Sequence, residues 1–257
     1  VTIAPINTDH TPYDQGTNAS SGVAVMGQAV ALAANKVRKA ILEFAARQIG
    51  CQLNELDLED GSIRKGNEAH PLNLMVMGYY GGTGFEFSED GFFKSPNDHE
   101  APLESPCVFW EIGWGAAEVD VDPETGKVTI LKLVVSGDAG KAIHPLVCQG
   151  QDEGAAMMGV GQALFENMRY DGVGLVNGDP LSYRVPLASD MPREFLSITQ
   201  EQGHGPGPFG SKGMGEGGML PVASAVANAI EDAVGVRITE LPLSPQKVFS
   251  ALKDKAG

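Results

Sequence analysis

Apolar residues recur at helical spacing from Gly22 onward: Val25, Ala29, Leu32, Ala33 and Val37, then Ile41, Leu42 and Ala45. No proline interrupts them, so the pattern predicts one long helix from Gly22 to Ile49 that Gly50 stops. Its first half carries almost no charge and is expected to be buried on all sides. Residues 1–20 before it are polar and turn-rich. Leu56 to Arg64, with Gly61 near its middle, predicts a short hairpin. From 66 to 106 no period persists: Met77 to Phe85 reads as a loop, and Pro96 to Pro106 continues it. A loop of that length is either functional or an interface segment. Alternation then returns in Val108 to Val121, the turn Asp122-Pro-Glu-Thr-Gly126, and Lys127 to Val135, which together predict a hairpin. Leu146 to Phe165 predicts a second helix whose small residues allow close backbone approach. Glu194 to Gln200 predicts a strand, Pro221 to Val234 a helix with proline in its first turn, and Val236 to Leu241 a strand. Ser244 to Leu252 predicts a closing helix capped by Ser244, with Pro245 at its first position. There is no internal repeat.

Composition narrows the classes. The chain has 257 residues, 42% of them hydrophobic, enough to bury a sizeable core. A formal net charge of −15 argues against a nucleic-acid partner or an anionic membrane surface, which both select a basic face. No apolar run approaches the roughly 20 residues that span a bilayer. Cys51, Cys107 and Cys148 are scattered and odd in number, without Cys-x-x-Cys spacing. They read as reduced, intracellular thiols with no zinc or iron–sulfur site. No secretory signal is evident at the start, and the first residue is Val1 rather than Met, as expected after processing or of a stretch with further residues ahead of it.

The densest chemical signal is Gly203-His-Gly-Pro-Gly-Pro-Phe-Gly-Ser-Lys212-Gly-Met-Gly-Glu216-Gly-Gly-Met-Leu-Pro221. Glycine loses the most chain entropy on folding, so such a run is either disordered or holds backbone close against another group. A helix follows at once, and a glycine loop feeding a helix favours a cradle for a phosphate-rich ligand. Glu216 is the one acidic residue there. It becomes a competent base near neutral pH if the folded protein takes it out of water, and is otherwise a solvated loop glutamate. Ser20 or Ser21 either caps the first helix or faces an anion at its N-terminus. His10, His70, His99, His144 and His204 sit near turn residues without zincin spacing and read as loop or surface histidines. Met157 and Met158 read as core. Neither glycine-rich run matches a P-loop or a strand–GxGxxG–helix unit.

Four segments together resemble the xanthine dehydrogenase/aldehyde oxidase family of molybdenum hydroxylases, in the C-terminal half of the molybdopterin-binding subunit. They are Thr8 to Ser20 (Thr-Asp-His-Thr-Pro-Tyr-Asp-Gln-Gly-Thr-Asn-Ala-Ser), Gly150-Gln-Asp-Glu-Gly154 with Gly159 to Leu164, Tyr183-Arg-Val-Pro186 with Ala188-Ser-Asp190, and Lys212-Gly-Met-Gly-Glu-Gly-Gly218. The tail from Ala225 to Pro245 fits as well. The resemblance implies an α+β fold of small mixed sheets packed with helices, here in two molybdopterin-binding subdomains, 1–120 and 121–257. It implies that Glu216 is the catalytic base in the oxidation of an electron-poor, N-heteroaromatic carbon with water-derived oxygen. It places Ala19 close to molybdenum, though not as a side-chain ligand. It makes Ala19, Ser20, Ser21, Gly154, Met158, Gly213, Met214 and Gly215 cofactor-binding positions for a molybdenum–pterin dinucleotide of the cytosine form.

This chain departs from the family at two of those places. Many members carry glutamine before Gly159 where Met158 stands, and arginine after the Ala-Ser pair where Ser21-Gly22 stands. There the usual side-chain contact has no counterpart, which places more of the pterin binding on a partner. The motifs of the family's earlier half are not found either. A split active site is therefore expected, of nicotinate dehydrogenase type, completed by a second molybdopterin subunit in a cytoplasmic hetero-oligomer. Iron–sulfur and flavin (FAD) subunits would carry electrons away from a small-molecule substrate, and apolar, glycine-rich faces would be interface. Carbon monoxide, aldehyde or hydroxybenzoyl-CoA chemistry, or a non-catalytic scaffold role, remain the alternatives. Substrate choice is expected to lie in the missing half and in loops such as Met77 to Ser105.

Overall fold

A computed structural model describes residues 2–95 and 107–256. His99 and the rest of the 96–106 segment therefore lie outside the described residues. The chain divides into two compact units, Val25–Pro96 and Val1–Ala24 with Asn97–Gly257.

Helix α1 (Gly22–Ile49) has the predicted bounds. Gly50 ends it with φ 74° and donates its N–H to the Ala46 carbonyl at 2.8 Å. In the smaller unit, α1 is followed by an antiparallel three-stranded sheet, β1 (Leu56–Glu59), β2 (Ser62–Lys65) and β3 (Glu68–Pro71), and by α2 (Leu72–Tyr80). Ile41, Leu42, Ala45, Leu56 and Ile63 form its core. Phe44 stacks on Tyr80 with ring centroids 5.7 Å apart. Two expectations fail here. Residues 72–80 are helical, because Leu-Asn-Leu-Met-Val-Met-Gly-Tyr-Tyr is apolar nearly throughout and so shows no period to read. The first half of α1 is not buried all round: Val23, Met26, Val30 and Leu32 are each more than a third exposed, and continuous burial begins only near Ile41.

The larger unit is built on a three-stranded sheet. Strand β4 (Gly113–Val121) pairs antiparallel with β5 (Val128–Asp138), and β5 pairs parallel with β8 (Glu194–Gln200). The crossover from β5 to β8 contains α3 (Pro145–Leu164) and a two-residue hairpin, β6 (Tyr170–Asp171) with β7 (Gly174–Leu175). Helices α3 and α4 (Val222–Val234) pack against the sheet, and α5 (Pro245–Ala256) closes the chain. Leu133, Val135, Val160, Val222, Val226 and Val248 are fully buried where these elements meet. The Asp122–Gly126 turn is structural: Asp122 accepts from the Glu124 amide at 2.9 Å and the Thr125 hydroxyl at 2.7 Å. The predicted boundary near residue 120 runs through the β4–β5 hairpin, which lies whole in this unit.

Val236 to Leu241 is irregular rather than a strand. Arg237 turns back to α4, its Nη1 2.6 Å from Glu231 Oε2, and the Leu243 N–H donates to the Ala163 carbonyl at the end of α3 at 2.7 Å. Both of these contacts are to helices rather than to a strand. Among the described residues no helix is long and apolar enough to cross a membrane.

Candidate active site

The site begins at a strained turn. Ala19 and Ser20 have φ of 47° and 58°, left-handed values that L-residues other than Asn and Asp seldom adopt. Each costs on the order of 1–3 kcal/mol and persists only where surroundings hold it. Here the holder is the glycine loop. A Cβ on Gly213 would lie 1.5 Å from the Ser20 carbonyl oxygen, and one on Gly215 would lie 2.9 Å from Ser20 Oγ and 3.5 Å from Gln151 Nε2. Only glycine lets the loop lie this close. The result is a hydrogen bond across 196 residues of sequence, in which Ser20 Oγ donates to Glu216 Oε2 at 2.8 Å.

Beyond Glu216 the loop turns through a short 3-10 segment, Gly217–Met219, into α4. Its base is pinned by Lys212, whose Nζ reaches Asp138 Oδ2 at 2.5 Å and the Trp110 carbonyl at 2.9 Å. Burial pushes the Asp138 carboxyl up, but the Lys212 ammonium and the Gly140 amide outweigh it and hold it below the ordinary carboxylate value. Helix α3 supplies the neighbouring wall. His144 caps it, accepting from the Val147 N–H on Nδ1 at 3.3 Å. The inward stripe of α3 buries Asp152, Ala155, Ala156, Gly159 and Val160, while Gln151, Gly154 and Met158 stay exposed. Met157, Met158, Val185, Pro186, Leu187 and Met191 line a cleft of about 350 Å³ with Gly154 at its edge. The strap on its far side is braced by Arg184, with Nη2 2.9 Å and 3.1 Å from the two Asp190 oxygens. The Arg184 guanidinium also lies over the Phe165 ring, 4.2 Å from its centroid.

The structure thus gathers Ala19, Ser20, Gly213, Gly215 and Glu216 at one place, with Gly154 and Met158 along the adjoining exposed face of α3. Ser21 turns aside and donates Oγ to the Asn18 carbonyl at 2.6 Å. Met214 points inward and packs with Ala139 and Ala142. The close approaches that glycine allows go to the chain's own Ser20, Glu111 and Asp152, so the run folds onto protein rather than around an open phosphate cradle. Glu216 is exposed, so any shielding from water comes from outside these residues.

Sequence reasoning missed Glu111 and Asp152. Glu111 lies in an aromatic segment whose alternation hid it. Asp152 was legible: it falls in phase with the apolar stripe of α3. Both are pushed up, Glu111 to about 7 by burial and then by the Asp152 carboxylate, and Asp152 by burial.

The profile of the molybdopterin cofactor-binding domain family matches residues 1–192. The chain belongs to that family. This molybdopterin-binding chain is 31% identical to the xanthine dehydrogenase molybdenum-binding subunit of Escherichia coli O157:H7, over 96% of its own length and 32% of that protein's. It is 28% identical to the gamma subunit of the 6-hydroxypseudooxynicotine dehydrogenase complex of Paenarthrobacter nicotinovorans, over 97% of this chain and 32% of the relative. The fold is that of quinoline 2-oxidoreductase from Pseudomonas putida, with a TM-score of 0.80 and 24% identity over 96% of this chain and 32% of that one. The molybdopterin-binding chain spans about a quarter to a third of the length of the curated relatives it matches.

Its residues fit such a cofactor. Among the described residues no His, Cys, Asp and Glu cluster could hold a metal ion. A metal carried by its own organic ligand needs none. The exposed turn at Ala19 and the exposed face of α3 at Gly154 leave room for such a group.

Proposed function

We propose that this chain forms the Glu216-bearing part of the active site of a hetero-oligomeric molybdenum hydroxylase, with Glu216 as the base. The observation that carries this reading is the 2.8 Å hydrogen bond from Ser20 to Glu216, which joins the two segments that the resemblance assigns to the metal. When bound, a molybdenum–pterin dinucleotide of the cytosine form supplies the redox chemistry and the site of oxygen delivery. Ala19, Ser20 and the 213–215 backbone would hold its metal end, and Gly154 with the Met158 cleft its pterin. Glu216 accepts the proton of the water-derived oxygen, and Ser20 fixes one carboxylate oxygen so that the group cannot swing away.

The exposed site supports a second molybdopterin subunit that covers it. Met168, Val173, Leu181, Val185 and Leu187, between residues 168 and 187, are each half or more exposed, apolar side chains of the kind a partner subunit covers. Iron–sulfur and FAD-bearing subunits would carry electrons away, in the cytoplasm, where the three free thiols stay reduced. A relative named for a nicotine-derived substrate supports an N-heteroaromatic carbon as the point of attack. The test is metal and pterin analysis of the chain with its co-purifying subunits, followed by turnover of Glu216→Gln on N-heteroaromatics, purines, aldehydes and carbon monoxide. Retained molybdenum with turnover lowered by about 10²–10⁴-fold is expected. No molybdenum in the complex, or unchanged turnover, sinks the reading.

A further inference from the structure

A second carboxyl group lies directly beneath the Glu216 turn. A Cβ on Gly217 would sit 2.0 Å from Glu111 Oε1, so this oxygen packs against the backbone that follows Glu216. Glu111 Oε1 is buried and has no hydrogen-bond partner among the described residues. Asp152 approaches from α3: its Oδ1 and Glu111 Oε1 each lie 3.4 Å from the point that a Gly137 side chain would fill. Asp152 is 1% exposed, and Ser197 Oγ donates to its Oδ2 at 3.2 Å. Asp152 also supports the turn, since a Cβ on Gly218 would lie 2.8 Å from its carbonyl oxygen. Two carboxylates that share a largely buried place oppose each other's ionisation.

We infer that Glu111 is a positioning residue for Glu216: as a neutral acid beside Asp152 it seats the Gly217–Met219 turn, and on losing its proton it unseats that turn. This rests on the reading of Glu216 as the base. Burial and the neighbouring Asp152 carboxylate raise Glu111 to about 7, while the Gly217 amide and Lys212 ammonium pull the other way. The titratable groups acting on it are Asp152 on α3 and Lys212 and Glu216 on the loop, and Lys212 is already paired with Asp138 at the end of β5. An ionised Glu111 therefore meets two like charges and one ammonium that is already engaged. Its least costly response is movement of the overlying turn, and Glu216 moves with it.

The test uses the chain with its co-purifying subunits, from about pH 5 to about pH 9, a range that brackets the titration. Difference infrared spectroscopy follows protonated carboxyl groups, and hydrogen exchange at the 217–220 amides, corrected for intrinsic rates, follows the turn. In the parent protein a buried carboxylic acid signal is expected to vanish near neutral pH, with faster exchange at these amides over the same range. Turnover of the parent should fall over that range as well, and in Glu111→Gln all three changes should be absent. In Asp152→Asn the signal should remain and titrate at lower pH. No carboxyl titrating near neutral pH in the parent, survival of the signal in Glu111→Gln, or exchange indifferent to it would overturn the inference. If the complex shows no turnover, the infrared and exchange results still decide the role of Glu111, and only the assignment of the base is lost.

Discussion

Replacing Gly213 with alanine should break the packing of the Ser20 turn on the glycine loop, and replacing Gly154 with alanine should leave that packing intact. At Gly213 the new Cβ would stand 1.5 Å from the Ser20 carbonyl oxygen and 2.5 Å from its carbon. A carbon–oxygen contact settles at about 3.3–3.6 Å, so the two backbones must part by roughly 2 Å. The Ser20–Glu216 hydrogen bond, now 2.8 Å, cannot survive that shift. Overpacking against backbone costs about 1–3 kcal/mol and the lost hydrogen bond about 1 kcal/mol more. For a unit of this size, that total corresponds to a fall in Tm of roughly 5–15 °C. At Gly154 an added Cβ meets nothing within 4 Å, and the residue is inside a helix. Alanine there should stabilise by about 1 kcal/mol, a rise of roughly 2–4 °C. Thermal unfolding by circular dichroism measures both. A Gly213→Ala variant that melts with the parent would refute the close packing of the Ser20 turn on the loop. Molybdenum analysis of Gly154→Ala then separates stability from cofactor contact: lost metal in a more stable protein places the pterin at that face.

The Lys212–Asp138 pair, with each side chain about 10% exposed, should lose about 3–5 kcal/mol near neutral pH in Lys212→Met, because a buried carboxylate is left unpaired. The Asp138 carboxyl is held down in the folded state, so its contribution is present above its unfolded value and lost as pH falls through the folded one; the gap between variant and parent should therefore narrow in acid, as urea unfolding across pH would show. Glu111 has the opposite sign. Its carboxyl rises from 4.5 to about 7 on folding, so the folded state holds the proton more tightly and the parent loses stability as pH climbs through that window. Glu111→Gln should match the parent near pH 4.5 and exceed it by ~1–2 kcal/mol near pH 8, part of the effect being screened by solvent because Glu111 is only partly buried, read from Tm against pH.

Local pattern was enough for much of the fold. The extent of α1, the β4–β5 hairpin, α3, α4 and α5 follows from period, turn chemistry and glycine or proline punctuation, which act within a few residues. Helix α2 escaped because a segment apolar on every side carries no phase. The irregular path of Val236 to Leu241 was invisible because a β-type sequence becomes a strand only where a neighbouring edge exists. Within the site, the glycine run around Glu216 and the Ala19–Ser20 segment stood out from composition and family likeness. That Ser20 lies on Gly213 and bonds Glu216 was decided by tertiary structure alone, since the hydrogen bond joins side chains 196 residues apart. The sequence also offered Asp152 as a polar residue in an apolar stripe, yet its partner Glu111 emerged only with the packing. Which charges meet in a dry interior depends on how β5, α3 and the glycine loop converge, and no local period encodes that convergence.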